Sequence, residues 1–299
     1  MTRTTASLNR QMASAGDLQS VVRTMKALAA SSIGQYEKSV QALGDYYHTV
    51  ELALSVCFRA PGTVSLLSAQ PARAEGAAVS AIVFGSDQGL VGRFNDVVAD
   101  YAVKALQSIT NTPQVWAVGE RVHARLTDAG IQPIGVFVVP NSIEAITALV
   151  GKILLAHEAH HASDASAQLQ LFYNRPTSGS AYEPVSQRLL PLDAAWLRKL
   201  AAIPWPTTML PEVIGANAQT VRALIREYLF VSLFRASAES LASENASRLA
   251  AMQRADKNID DLLENLQHAF HRLRQSRIDE ELFDVIAGFE ALGGAPGHR

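Results

Sequence analysis

One cysteine, Cys57, stands in 299 residues, so no disulfide can staple the chain internally, and a reducing compartment suits it. On an apolar helical stretch it reads as a small core residue rather than a reactive thiol. Charge of one sign is lacking too. Twenty-six basic side chains against 28 acidic ones leave a formal net charge of −2, so nucleic acid finds no global basic field. No apolar run approaches the roughly 20 residues of a membrane span, and the polar start Met1 to Arg10 lacks the apolar core of a secretory signal. These absences predict a soluble, cytoplasmic chain. With 48% hydrophobic and 18% charged residues it is a folded one.

The most informative absence is local. From Ala216 to Ala287 there is neither glycine nor proline, the residues that most often end a helix. As one helix the stretch would be about 110 Å long, against a radius of gyration near 19 Å for a compact chain of this length, by the usual size scaling (~2.2·N^0.38 Å). Such a rod needs a partner along its length.

What is present supplies part of that partner. Leu8, Met12, Ala15, Leu18, Val22, Met25, Ala29, Ile33, Tyr36, Val40, Leu43 and Tyr47 recur in steps of three and four, the rhythm of an amphipathic helix or coiled-coil seam. The pattern ends before Pro61-Gly62, and residues 61–76 read as a linker. Ala238, Leu241, Asn245, Leu249, Met252, Ala255, Ile259, Leu262, Leu266, Ala269 and Leu273 repeat the rhythm near the other end. Two seamed helices at opposite ends of a chain most simply pair antiparallel. Beyond the overlap, Ile278, Leu282, Phe283, Val285, Ile286, Phe289 and Leu292 form an apolar tip that nothing in the chain covers, the mark of a protein interface.

Between the helices the pattern changes to short apolar runs alternating with helical segments. Strands are expected at Val79–Phe84, Gln114–Val118, Ile134–Val139, Gln168–Tyr173 and Val185–Leu190. Helices are expected at Phe94–Ser108, Arg121–Asp128 and Ile143–His157. Such alternation predicts a Rossmann-like α/β domain with a mainly parallel sheet. The expected organisation is an N-terminal coiled-coil helix (1–60), an α/β domain (77–203) and a C-terminal coiled-coil helix (207–292), with Pro211 suited to the last helix's first turn.

Chemistry-bearing motifs are few. His157-Glu158-Ala159-His160-His161 matches the H-E-x-x-H zinc pattern, but it sits at a helix end with no third ligand on a following helix. A zinc hydrolase using His157, Glu158 and His161 stays a minor alternative. Gly85 to Gly92 follows a strand and opens a helix, yet has neither the Lys-Ser/Thr of a P-loop nor G-x-G-x-x-G spacing. It reads as a tight structural turn built on Asp87, Gly89 and Gly92. No nucleophile elbow, CxxC pair or kinase signature appears. Neither a catalytic centre nor a cofactor or metal site is expected. The residues alone favour a coiled-coil adaptor carrying an α/β head.

Three segments narrow this. The turn Ser86-Asp87-Gln88-Gly89-Leu90-Val91-Gly92-Arg93-Phe94-Asn95, the run Ser243-Glu244-Asn245-Ala246-Ser247-Arg248-Leu249-Ala250-Ala251-Met252, and the tail from Leu266 through Arg274-Gln275-Ser276-Arg277-Ile278-Asp279-Glu280-Glu281-Leu282 resemble the gamma subunit of F-type ATP synthases. Met25 to Ser31 resembles that family's N-terminal helix. The chain departs from it at Gln88 and Val91, where the family usually reads arginine and cysteine, and at Ser32, where it usually has lysine. Residues 1–60 hold only six basic and four acidic side chains. It is identified as a divergent member.

The resemblance implies a non-catalytic central-stalk rotor. It would couple ion-driven rotation of a membrane c-ring to ATP synthesis or hydrolysis at beta subunits. Its partners would be the alpha and beta subunits of the catalytic hexamer, epsilon and the c-ring. It would lie on the cytoplasmic side of a bacterial inner membrane, peripheral through the complex. Met25, Lys26, Arg248, Arg274 and Gln275 would contact beta subunits, and Phe283, Ile286 and Phe289 would form the bearing in the hexamer.

Overall fold

The computed structural model describes residues 4–59, 78–109, 112–161, 167–177, 181–192, 194–209 and 218–293. In chain order the elements are α1 (Thr5–Arg59), β1 (Val79–Phe84), α2 (Phe94–Gln107), β2 (Gln114–Val118), α3 (Glu120–Asp128), β3 (Gly135–Phe137), α4 (Ile143–His161), β4 (Gln168–Pro176), β5 (Tyr182–Leu190), α5 (Ala194–Ala201) and α6 (Ala218–Gly293). The expected 61–76 linker and Pro211 lie outside the described residues.

The five strands form one sheet in the order β3-β2-β1-β4-β5. β1 pairs parallel with β2 and β4, and β2 parallel with β3. Only β5 runs antiparallel, against β4, because a short turn closed by Thr177 N–H donating to the Ala181 carbonyl leaves no room for a crossover helix. β1 is buried at every position, as a central strand covered on both faces must be. One face carries Ile82, Phe84, Trp116, Leu169, Leu171 and Tyr173 against α4 and against Leu233, Ala238 and Leu241 of α6. The other carries Ala81, Val83, Val115, Ala117 and Phe172 against α2 and α3. Each large side chain so buried contributes roughly 1.5–3 kcal/mol.

Contacts divide the chain into two compact units, Ala29–Ala250, and Met1–Leu28 with Ala251–Arg299; the boundary crosses both long helices. In the larger unit a further core gathers Val50, Leu54, Cys57 and Phe58 of α1 with Trp196 and Leu200 of α5 and Val221 and Tyr228 of α6. This core holds the last turns of α1, which ends at Arg59. Cys57 is buried there, and burial pushes its thiol up. α5 was not expected from the sequence. Its eight residues are too few for a clear period, and its place is set by Phe58 and Tyr228, which stack edge-on against Trp196.

In the smaller unit α1 and α6 run antiparallel. Gln19 reaches Asp260, while Lys26, further along α1, reaches the earlier Asp256. The seam departs from the expected positions at two places. Leu18 is 61% exposed, and Gln19 takes its place because its amide bonds both Asp256 and Asp260. On α6 Leu262 is likewise exposed, and the half-buried position is Leu263. α6 continues through Gly288 to Gly293, beyond the breaker-free stretch that ends at Ala287.

Candidate partner-contact surfaces

In the larger unit the strand-to-helix turn after β1 ties the sheet's loops to α6. Leu90 and Gly92 both adopt positive φ, 64° and 57°. Asn95, at the start of α2, accepts the Ser86 N–H at 2.9 Å on its side-chain oxygen and donates its amide to Ser86 Oγ at 2.8 Å. The Asp87 carboxylate accepts the backbone N–H of Glu120 at 3.1 Å and of Val139 at 2.9 Å. One acid therefore holds the loops at the ends of β2 and β3. Gly89 packs near the Arg121 guanidinium.

α6 closes over this turn with small polar groups. Ser247 Oγ donates to the Val91 carbonyl at 2.5 Å, and Ser243 Oγ to the Asn174 carbonyl at 2.9 Å. Asn174, fully buried on β4, donates in turn to the Phe94 carbonyl. The serines of the 243–252 run are thus short hydrogen-bonding spacers that let α6 approach the sheet. Glu239 of α6 accepts from Arg235 at 2.7 Å and lies 3.4 Å from Arg175 of β4.

Arg248 is engaged inside the chain. Its Nη2 donates to Glu244 Oε1 at 2.5 Å, and its Nη1 to Asn245 Oδ1 at 3.2 Å. Glu244 was not singled out from the sequence, although its i,i+4 spacing to Arg248 is the signal of such a pair. Burial pushes its carboxyl above the ordinary range despite the adjacent guanidinium.

In the smaller unit Met25 and Lys26 are half-buried on α1. The Lys26 ammonium lies 2.7 Å from Asp256, which Arg23 also approaches at 3.3 Å. Gln19 is likewise a residue that sequence reasoning passed over. Arg274 and Gln275 are exposed on α6 and make no side-chain hydrogen bond or ion pair among the described residues. Further along, Phe283, Ile286 and Phe289 are exposed, Phe289 by 79%.

Among the described residues the zinc pattern does not assemble. His157 is buried under the sheet with Nδ1 3.2 Å from Ser80 Oγ. The His160 ring stands edge-on to Trp116 and Glu158 is exposed; the His161 side chain lies outside the described residues. Among the described residues no three His, Cys, Asp or Glu groups could hold a metal. None of the helices described is long and apolar enough to cross a membrane.

Long N- and C-terminal helices flanking a mostly parallel sheet, with charged and apolar side chains exposed along the second of them, define an α/β protein with long terminal helices. The chain matches the family model described as ATP synthase over residues 4–292 and belongs to that family. Similar curated proteins are named ATP synthase gamma chain. That of Clostridium botulinum (strain Okra / Type B1) is 28% identical, covering 70% of this chain and 71% of the relative. That of Nitrosomonas eutropha is 24% identical, covering 95% and 98%. The fold is similar to a chain of the Euglena gracilis mitochondrial ATP synthase structure containing OSCP, F1 and the c-ring. There the TM-score is 0.65 at 16% identity, over 99% of this chain and 97% of that one. A chain of the Tetrahymena thermophila mitochondrial ATP synthase central stalk and c-ring structure gives 0.58 at 19%, over 79% and 99%.

Proposed function

We propose that this chain is the gamma, central-stalk subunit of a bacterial F-type ATP synthase and acts as a rotor with no active site of its own. The carrying observation is the match to the ATP synthase family over residues 4–292, joined to a 76-residue helix. A helix without an internal break suits a shaft that transmits torque.

In this reading the two terminal helices turn inside a hexamer of alternating alpha and beta subunits. The α/β domain rests on the c-ring beside epsilon, on the cytoplasmic side of the inner membrane. A shaft changes nucleotide affinity at a beta subunit only by contacting its open and closed forms differently. Moving one site from 1:99 to 99:1 takes about 5.5 kcal/mol of such difference, a sum that several charged and apolar contacts supply together. Arg274 and Gln275, exposed and without side-chain partners among the described residues, suit contact with beta subunits. Met25, Lys26 and Arg248 are assigned to the same surface, although Lys26 and Arg248 also pair within the chain. Phe283, Ile286 and Phe289 supply the apolar bearing.

Co-expression of the tagged chain with the alpha and beta subunits tests this. The expected product is a stoichiometric complex whose ATP hydrolysis depends on the chain. Recovery of the chain alone, with hydrolysis unaffected by it, would overturn the proposal.

A further inference from the structure

The two outer strands of the sheet are guarded differently. β5 carries Glu183, Pro184 and Arg188, charges and a missing N–H of the kind that keep a free edge from pairing with another chain. β3, at the other end of the strand order, pairs with β2 on one side and with no strand on the other among the described residues. Its run Ile134-Gly135-Val136-Phe137-Val138-Val139 holds no charged or polar side chain, and its β-branched and aromatic residues favour strand structure. Ile134 is 49% exposed and Val138 76%. Pro133 and Pro140 bracket the run, so the open edge is short and bounded.

Beside this edge lies a groove of about 420 Å³, with Val136, Val138 and Pro140 on one side and Ala148, Leu149 and Lys152 of α4 on the other. α4 starts at Ile143, just past Pro140, and runs back beside β3. Lys152, about 14 Å along it at ~1.5 Å per residue, therefore stands toward the strand's start. It is exposed, is the one charged side chain in the described lining, and makes no hydrogen bond or ion pair among the described residues. The far end of the edge is held in place. Val139 N–H donates to Asp87, and the Phe137 carbonyl accepts the Gly119 N–H. An edge already fixed in strand geometry loses little freedom when another strand joins it.

The three features specify one occupant. An open backbone edge requires an extended segment, an apolar groove requires apolar side chains at every second position, and an unpaired ammonium requires an acid. We propose that β3 takes one extended segment of a partner protein as a further strand, with alternate apolar side chains in the groove against α4 and an aspartate or glutamate meeting Lys152. The edge is independent of the contacts assigned to Arg274, Gln275 and the apolar bearing.

Fluorescence anisotropy of a labelled peptide as long as the run, alternating valine and threonine with aspartate at either end, tests this when titrated with the full chain. Saturable binding is expected. Methylating alternate backbone nitrogens of the peptide keeps its side chains but removes donors to the edge, and should weaken binding about tenfold. Val138→Lys, which charges an exposed edge position, should abolish binding and leave the melting temperature unchanged. Lys152→Glu should weaken the aspartate peptide about threefold and strengthen a lysine-ended one by a similar factor. No saturable binding, equal binding of the methylated peptide or of the Val138→Lys chain, or no exchange of preference in Lys152→Glu would overturn the proposal. A concentration-dependent dimer that Val138→Lys disperses would also overturn it, by giving the edge to a second copy of the chain.

Discussion

Lys26 on α1 places its ammonium 2.7 Å from the Asp256 carboxylate on α6, and Arg23 and Gln19 converge on the same acid. Two cations and an amide on one carboxylate clamp the helices of the smaller unit at a fixed register. The residue that sequence resemblance assigns to a partner thus also has a structural role.

Lys26→Met in the full chain is therefore expected to lower the melting temperature at neutral pH. The Lys26 hydrogen bond, aided by Arg23, holds the Asp256 carboxyl below its ordinary value of 3.8. Its stabilisation is present above that value and is lost as pH falls through the lower folded value. The gap between native chain and variant should close in strong acid and shrink in molar salt. Equal melting at pH 7, followed by circular dichroism, would remove the clamp.

Glu244 carries the opposite sign. Burial raises its carboxyl above the ordinary 4.5, so the folded chain holds a proton that the unfolded chain releases. As pH rises from about 4.5 through the folded value, that group makes folding less favourable. Glu244→Gln removes the titration and keeps an oxygen for Arg248. The variant should gain melting temperature relative to the native chain across that window and show no relative change below it. A difference independent of pH would contradict the assignment.

The fold was legible where period and punctuation were strong. Val79–Phe84 and Gln114–Val118 come out at the expected residues, because a buried strand between turn residues is a distinct pattern. The long helices were recognisable from their rhythm and from the lack of breakers. What holds the last turns of α1 is the cover that α5 and the start of α6 give Val50, Leu54 and Phe58, a tertiary cause with no local sign. Leu18 and Gln19 show the limit of hydrophobic rhythm, since a polar side chain displaces a leucine from the seam when carboxylates wait opposite. The residues assigned to a partner surface rest on resemblance alone. The engagement of Arg248 by Glu244 needed coordinates, since an i,i+4 spacing does not say that both side chains turn inward.

Gly119 is expected to be the least replaceable glycine of the sheet's loops. It adopts a φ of 111°, and an added Cβ would lie 2.6 Å from the Ser86 carbonyl oxygen. Both the positive φ and the clash fall on the turn held by Asp87. Gly119→Ala should cost roughly 2–4 kcal/mol, combining backbone strain with a displaced hydrogen bond. Chemical denaturation should show a lower midpoint; an unchanged midpoint would mean that this turn is not tightly held.

In the proposed rotor the apolar tip would make a separable contribution to the assembly. Ile278, Leu282, Phe283, Val285, Ile286 and Phe289 are all exposed, and burying one such side chain in a hexamer is worth about 1.5–3 kcal/mol. Truncation after Leu282 should lower the resistance of the assembled complex to dissociation while leaving the turnover of intact complexes within about twofold, since no tip residue meets a reacting atom. Loss of turnover without loss of assembly would reassign the tip.

Arg274 and Gln275 provide the sharpest test of the rotor reading. Neither makes a side-chain hydrogen bond or ion pair among the described residues, so Arg274→Ala with Gln275→Ala should leave the melting of the full chain unchanged; surface alanines in a helix are well tolerated. In the assembled complex the same two side chains would contact a beta subunit in one nucleotide state more than in another. Losing about 1 kcal/mol of that difference slows ATP-driven rotation about fivefold. Nucleotide affinity of isolated beta subunits should be untouched, since in the proposed rotor this chain would supply only the bias between their states. Slowed rotation with unaltered folding places these residues in torque transfer, whereas native torque and turnover would remove them from it.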